Sequence, residues 1–256
     1  MILTVLGSCA NQISNREGVA LLVEKDSNNL LIDCGPGIVA AFGRCNRKTS
    51  EVNNLLITHV HGDHIAGFPY FVWNRNFECM GGTPPADLHV YGEHGAIEFA
   101  QFALSHCYPE LTFPFKIVYH EIEADSSFCC GEIGITCVCA DHAVPCISCI
   151  IEVEGSKIVY SSDTLYNEAL SKHSREADIL IHEGMMISSM EALANKVKHS
   201  TACTAGKFAT DISTKQLLLV HIAPSLLGKE TLLLQEASSY YHGPISIPHD
   251  GTVYFV

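Results

Sequence analysis

From Leu55 to His64 the chain reads Leu-Leu-Ile-Thr-His-Val-His-Gly-Asp-His, an apolar run that ends in three histidines and an aspartate before a helical pattern begins. A short apolar run rich in branched side chains is a buried strand. At the end of an extended strand, alternate residues point the same way, so His59 and His61 share one face. The turn at Gly62 lets Asp63 and His64 reach a second position close by. Neutral imidazole and carboxylate suit borderline divalent cations, zinc first, with manganese or iron as competitors. The chain must therefore fold so that a buried strand delivers its end to a metal site.

The remaining sequence alternates short strands with helical patterns. Strands are expected at Leu3–Leu6, Val19–Glu24, Leu30–Asp33, Leu55–Thr58, Leu88–Tyr91, Ile147–Val153, Ile158–Ser161, Ile179–His182 and Leu217–His221. Helices are expected after His64, near Glu93, after Asp163, after Ser200 and over Lys229–Ser238. Hairpins mixed with βα units predict the α/β class, in the form of an αββα sandwich of two sheets with outer helices. Residues 1–256 are expected to form a single domain, with Glu78–Asp87 a loop inside it.

The first nine residues loosely resemble a lipoprotein signal ending at Cys9. With no basic start and a short apolar stretch, they are expected to be a strand instead. No apolar run approaches the roughly 20 residues of a membrane-spanning helix, so no membrane partner is expected. Twelve cysteines without an export signal predict free thiols in a reducing cytoplasm. Cys146 and Cys149 have zinc-site spacing, yet the second such pair is absent, and small buried thiols are the expectation. With 28 acidic against 15 basic residues the net charge is −13, which opposes a long polyanion. The basic groups that do cluster are Arg44, Arg47 and Lys48, and Lys196 with Lys198.

The His59–His64 segment resembles the His-x-His-x-Asp-His signature of the metallo-β-lactamase superfamily, and the rest of the chain resembles that family in order. His142 stands where a third metal histidine is expected, Asp163 where a bridging aspartate is, and His221 where the final ligand is. The resemblance implies one cation held by His59, His61 and His142 and another by Asp63, His64 and His221, with Asp163 between them, most simply two Zn²⁺. Ile181-His182-Glu183-Gly184, His199-Ser200-Thr201-Ala202, Leu6-Gly7-Ser8 with Arg16, and Ile32-Asp33-Cys34-Gly35 are similar to elements of the ribonuclease Z branch. That resemblance implies a proton-donating role for His199, with Glu183 orienting it, and leaves proton handling at the water to Asp63. The lesser alternative for His182 and Glu183 is a satisfied strand end.

Ribonuclease Z enzymes that process tRNA carry a long arm between the third histidine and the bridging aspartate, and here the interval holds only a hairpin. From the missing arm and the acidic charge, tRNA is an unlikely partner. The expected substrate is a small phosphodiester, in particular a cyclic mononucleotide, and the expected assembly a homodimer as in relatives of the branch. Phe68, Tyr70, Phe71, Trp73 and Phe77 offer either a stacking face for a base or core packing. The alternatives are a ribonuclease Z-type tRNA endonuclease, a lactonase or thioesterase on the same scaffold, and a non-catalytic binding protein. A diiron redox protein is disfavoured, because His61 stands where that branch has a glutamate.

Overall fold

The computed structural model describes residues 1–11, 16–80, 82 and 84–256. Among these, two seven-stranded mixed sheets lie face to face with helices outside, the predicted αββα arrangement. The strands are β1 (Ile2–Gly7), β2 (Ala20–Lys25), β3 (Asn28–Ile32), β4 (Asn54–Ile57), β5 (Leu88–Gly92), β6 (Ile117–Glu121), β7 (Ser127–Cys130), β8 (Ile133–Cys139), β9 (Ile147–Val153), β10 (Ser156–Tyr160), β11 (Ile179–Glu183), β12 (Leu217–Val220), β13 (Ile245–Ser246) and β14 (Thr252–Phe255). The helices are α1 (Ile38–Arg44), α2 (Gly62–Ile65), α3 (Phe68–Glu78), α4 (His94–Cys107), α5 (Glu168–His173), α6 (Glu191–Val197), α7 (Ala202–Asp211) and α8 (Glu230–Ser238).

The first sheet runs β14-β1-β2-β3-β4-β5-β6 and the second β13-β12-β11-β10-β9-β8-β7. In each, antiparallel pairing gives way to parallel pairing halfway across, at β3 and at β10. Both faces of each sheet are covered, which is why the strands read as apolar runs. Along β10, Ile158 and Tyr160 enter the layer between the sheets, while Val159 packs outward beside Leu170 and Phe208. In β4, Leu56 faces inward, and Leu55 and Ile57 face outward toward Phe68 and Phe71.

Phe68 and Phe71 are therefore core and unavailable to a ligand, Tyr70 and Phe77 are exposed, and Trp73 stacks on Tyr108. Arg75 on α3 is fully buried and donates to the carbonyls of Thr49, Val52 and Ala86, with its guanidinium 4.9 Å from the centre of the Phe115 ring. Of the expected loop Glu78–Asp87, Gly81 and Thr83 lie outside the described residues. Between His142 and Asp163 the chain makes only the β9–β10 hairpin, closed by Glu154 and Gly155, both at positive φ. No disulfide links the described cysteines, and Cys146 and Cys149 are buried thiols. No helix among the described residues is long and apolar enough to cross a membrane.

Candidate metal centre

Each half of the sandwich sends residues beyond its strand ends to a common rim. β4 leads into His59, His61, Asp63 and His64, β10 into Asp163, and β12 into His221, while His142 comes from the β8–β9 connection. The two sheets are tied together here, since the amide of Ile147 donates to the carbonyl of Thr58 at 3.1 Å. The approach of neighbouring chain is close. At Gly35 a β-carbon would stand 2.1 Å from the Asp63 carbonyl oxygen, so only glycine lets the β3–α1 turn pass behind Asp63.

The seven residues singled out as metal ligands converge. Donor atoms of His59, His61, His142 and Asp163 form one group within 4.8 Å, and those of Asp63, His64 and His221 form a second. Asp163 Oδ2 lies 3.5 Å from His64 Nε2 and 3.3 Å from His221 Nε2, between the groups. His59 Nε2, Asp163 Oδ1 and His221 Nδ1 are buried and meet no hydrogen-bond partner, although buried polar atoms are nearly always satisfied. Five imidazoles and two carboxylates presenting such atoms to one another fit divalent cations.

Surrounding groups fix the rings. Asp33, fully buried, receives the Nδ1–H of His64 at 2.8 Å and the amide of Thr58 at 2.9 Å. The Thr58 hydroxyl donates to Asp33 at 2.9 Å and so accepts from His59 Nδ1 at 3.0 Å. His142 Nδ1 donates to the Lys198 carbonyl at 2.9 Å. In all three rings the Nδ1 proton is held, which leaves Nε2 free to ligate. Four non-glycine residues in the left-handed region, Asp33, Ser162, Lys198 and His221, surround this centre, where backbone strain tends to gather. Burial holds the His59 imidazole well below its usual pKa, in the neutral form a ligand needs. At Asp163 burial favours the neutral acid, but His221 and His64 outweigh it and keep the carboxyl well below the usual range.

His199 sits on the same rim, with Nδ1 3.0 Å from Glu183 Oε2 and its ring 5.2 Å from that of His221. Burial lowers its pKa. Burial and the Asp163 carboxylate raise that of Glu183 well above the usual range. The structure thus separates the neighbours His182 and Glu183. The Glu183 side chain joins the site, whereas His182 lies fully buried against Phe208 and donates to the Glu183 carbonyl at 2.7 Å.

Sequence reasoning missed Thr164, which joins three segments of the site. Its amide donates to Glu183 Oε1, its hydroxyl accepts from the Asp141 amide at 3.0 Å, and its carbonyl accepts from Ser200 at 2.6 Å. Thr201 caps α7 by accepting from the Thr204 amide at 3.3 Å. The three consecutive residues His199, Ser200 and Thr201 thus do three different things. The ammonium of Lys198 is committed to Asp141 at 2.8 Å.

The fold and this donor set define a metal-binding hydrolase of the metallo-β-lactamase superfamily. The chain belongs to that superfamily, since the β-lactamase superfamily domain matches residues 28–222. It is similar to ribonuclease Z of Thermoplasma acidophilum, 27% identical over 89% of this chain and 87% of that one. The short form of human tRNase Z superposes with a TM-score of 0.83 at 22% identity, covering 100% of this chain and 99% of the other. The metallo-β-lactamase fold protein YhfI of Bacillus subtilis gives 0.83 at 23% identity, covering 99% and 98%.

The expectation that tRNA is an unlikely partner is corrected by these relatives, several of which are ribonucleases Z matched over most of this chain. Its two arguments were too coarse. A net charge averages the whole surface and says little about one rim, and an absent arm removes a distant contact while leaving the reacting groups in place. The alignment to the Thermoplasma enzyme spans 274 positions, more than the 256 residues of this chain, so that relative carries segments this chain lacks.

Proposed function

We propose that the protein is a two-metal phosphodiesterase of the ribonuclease Z type, acting on an RNA phosphodiester. The observation that carries this reading is the His199–Glu183 pair, 3.0 Å apart, set against the double donor cluster. A lactonase or thioesterase has less need of a placed proton donor than a phosphodiesterase expelling an alkoxide. His59, His61 and His142 would hold one cation, Asp63, His64 and His221 the other, with Asp163 shared. The bound cations, zinc in this reading, would neutralise phosphoryl charge and make water a stronger nucleophile. Asp63, whose side chain is 24% exposed against 2% for Asp163, faces arriving water and takes its proton. Glu183 fixes Nδ1 of His199, so the proton for the leaving oxygen comes from Nε2.

A second reading, hydrolysis of a small phosphodiester such as a cyclic mononucleotide, is favoured by the short interval between His142 and Asp163, which holds the β9–β10 hairpin and no arm for gripping a long substrate. The test loads one preparation with zinc, measures metal per chain, and presents precursor tRNA, cyclic mononucleotides, a linear dinucleotide and a lactone in parallel. Two equivalents of metal with cleavage of precursor tRNA are expected. Cleavage of cyclic mononucleotides alone establishes the second reading, and turnover of the lactone alone defeats both.

A further inference from the structure

We infer that Lys198 is a positioning residue whose left-handed backbone locks His142 and His199 into one arrangement, an inference that rests on the two-metal reading above. Lys198 is the C-cap of α6, with φ 63° and ψ 47°. That conformation ends the helix and presents the residue's carbonyl to the neighbouring loop, where it accepts from His142 Nδ1 at 2.9 Å. The next residue is His199, whose amide donates to the Ala194 carbonyl at 2.9 Å and whose ring meets Glu183. The two imidazoles lie edge to face, with ring centres 5.0 Å apart. One peptide unit therefore holds a ligand of one donor group and directly precedes the proton donor.

Lysine is not the residue such a conformation prefers. Helices that end this way usually do so at glycine, sometimes asparagine, because a β-carbon crowds the backbone there. A right-handed residue 198 would continue α6 and turn its carbonyl away from His142. The lysine side chain contributes separately through its ion pair with Asp141, but both groups are substantially exposed, at 41% and 53%, and such pairs are worth little. The working part of Lys198 is its backbone.

The geometry predicts that substitutions rank by tolerance of the left-handed region, not by charge. Metal-free Lys198→Gly, Lys198→Asn, Lys198→Ala, Lys198→Val and Asp141→Asn are titrated with Zn²⁺ by calorimetry, with far-ultraviolet circular dichroism as the folding control. Lys198→Val should weaken one of the two zinc affinities about tenfold and leave the other within about threefold, because a β-branched side chain meets crowding in this region that the unbranched lysine does not. Lys198→Gly, Lys198→Asn and Asp141→Asn should keep both affinities within about threefold of the parent. If Lys198→Val does not fold, Lys198→Ala against Lys198→Gly and Lys198→Asn gives the same ranking with a smaller spread. Unchanged zinc binding across the series overturns the inference, as does an equal loss in Lys198→Gly and Lys198→Val, or an equal loss at both sites. A parent chain that takes up no zinc overturns the two-metal reading itself.

Discussion

His182 makes acid stability a quantitative test of the structure. Its ring is fully buried on β11, Nδ1 donates to the Glu183 carbonyl at 2.7 Å, and Nε2 has no partner. Burial lowers its pKa from 6.5 to about 4. A histidine that resists protonation when folded but accepts it when unfolded lets the unfolded chain bind the extra proton between those values. Stability from this residue is therefore whole above pH 6.5 and is lost as pH falls toward 4. A gap of about 2.5 units corresponds to roughly 3 kcal/mol, most of it gone by pH 4.5. His182→Asn keeps a donor near the Glu183 carbonyl and removes the titration. Urea denaturation of both metal-free proteins at pH 7 and pH 4.5 isolates the effect, because every other titrating group cancels in the difference. The asparagine variant should lose about 2–3 kcal/mol less than the parent on acidification. A difference between the two proteins that does not change with pH refutes the reasoning.

Two further outcomes are expected. His199→Ala should slow hydrolysis of an alkoxide-leaving phosphodiester about 10²–10⁴-fold and that of a nitrophenyl ester far less, with metal content unchanged; equal losses on both substrates would remove His199 from the proton-donor role. Arg75→Met should lower unfolding free energy by about 3 kcal/mol, because the buried carbonyls of Thr49 and Val52 lose their donor, as does the more open carbonyl of Ala86; a denaturation midpoint like the parent's would show that the clasp contributes nothing.

The part of the site visible in the sequence is the part whose residues are neighbours. His59 to His64 fall within one strand end and the turn after it, so local geometry alone brings them together. Asp33 and Thr164 act across 31 residues to His64 and 19 to Glu183, and only the parallel neighbours β3–β4 and β10–β11 make those contacts. Lys198 left no signal, since nothing about a lysine announces a left-handed residue. Strands β1 to β5 and β9 to β12 were legible because two covered faces require apolar runs. β6 and β14 were not expected, and along Ile117–Glu121 and Thr252–Phe255 no residue is fully enclosed. At a sheet edge one flank faces water, and the hydrophobic pattern fades with it. The aromatic run after His64 misled in part, because Phe68 and Phe71 serve the helix–sheet core.

Pairing of β14 with β1 closes the first sheet with strands from opposite ends of the described chain, Ile2 facing Phe255 and Val5 facing Thr252. Every other strand of that sheet is in place by Glu121, so the closing strand arrives only after the entire second sheet has been made. Loop-closure entropy grows slowly with length, but ordering at such separation delays assembly. Until it happens, β1 is an open edge able to pair with another chain. The same segment brings Asp250, which takes the Glu17 amide at 2.7 Å and the Ser8 hydroxyl at 3.2 Å, just before Gly18 passes behind Asp63. The wall behind Asp63 is thus secured by a segment far along the chain from the donor groups, and a variant truncated before Asp250 would hold all seven of them without that support.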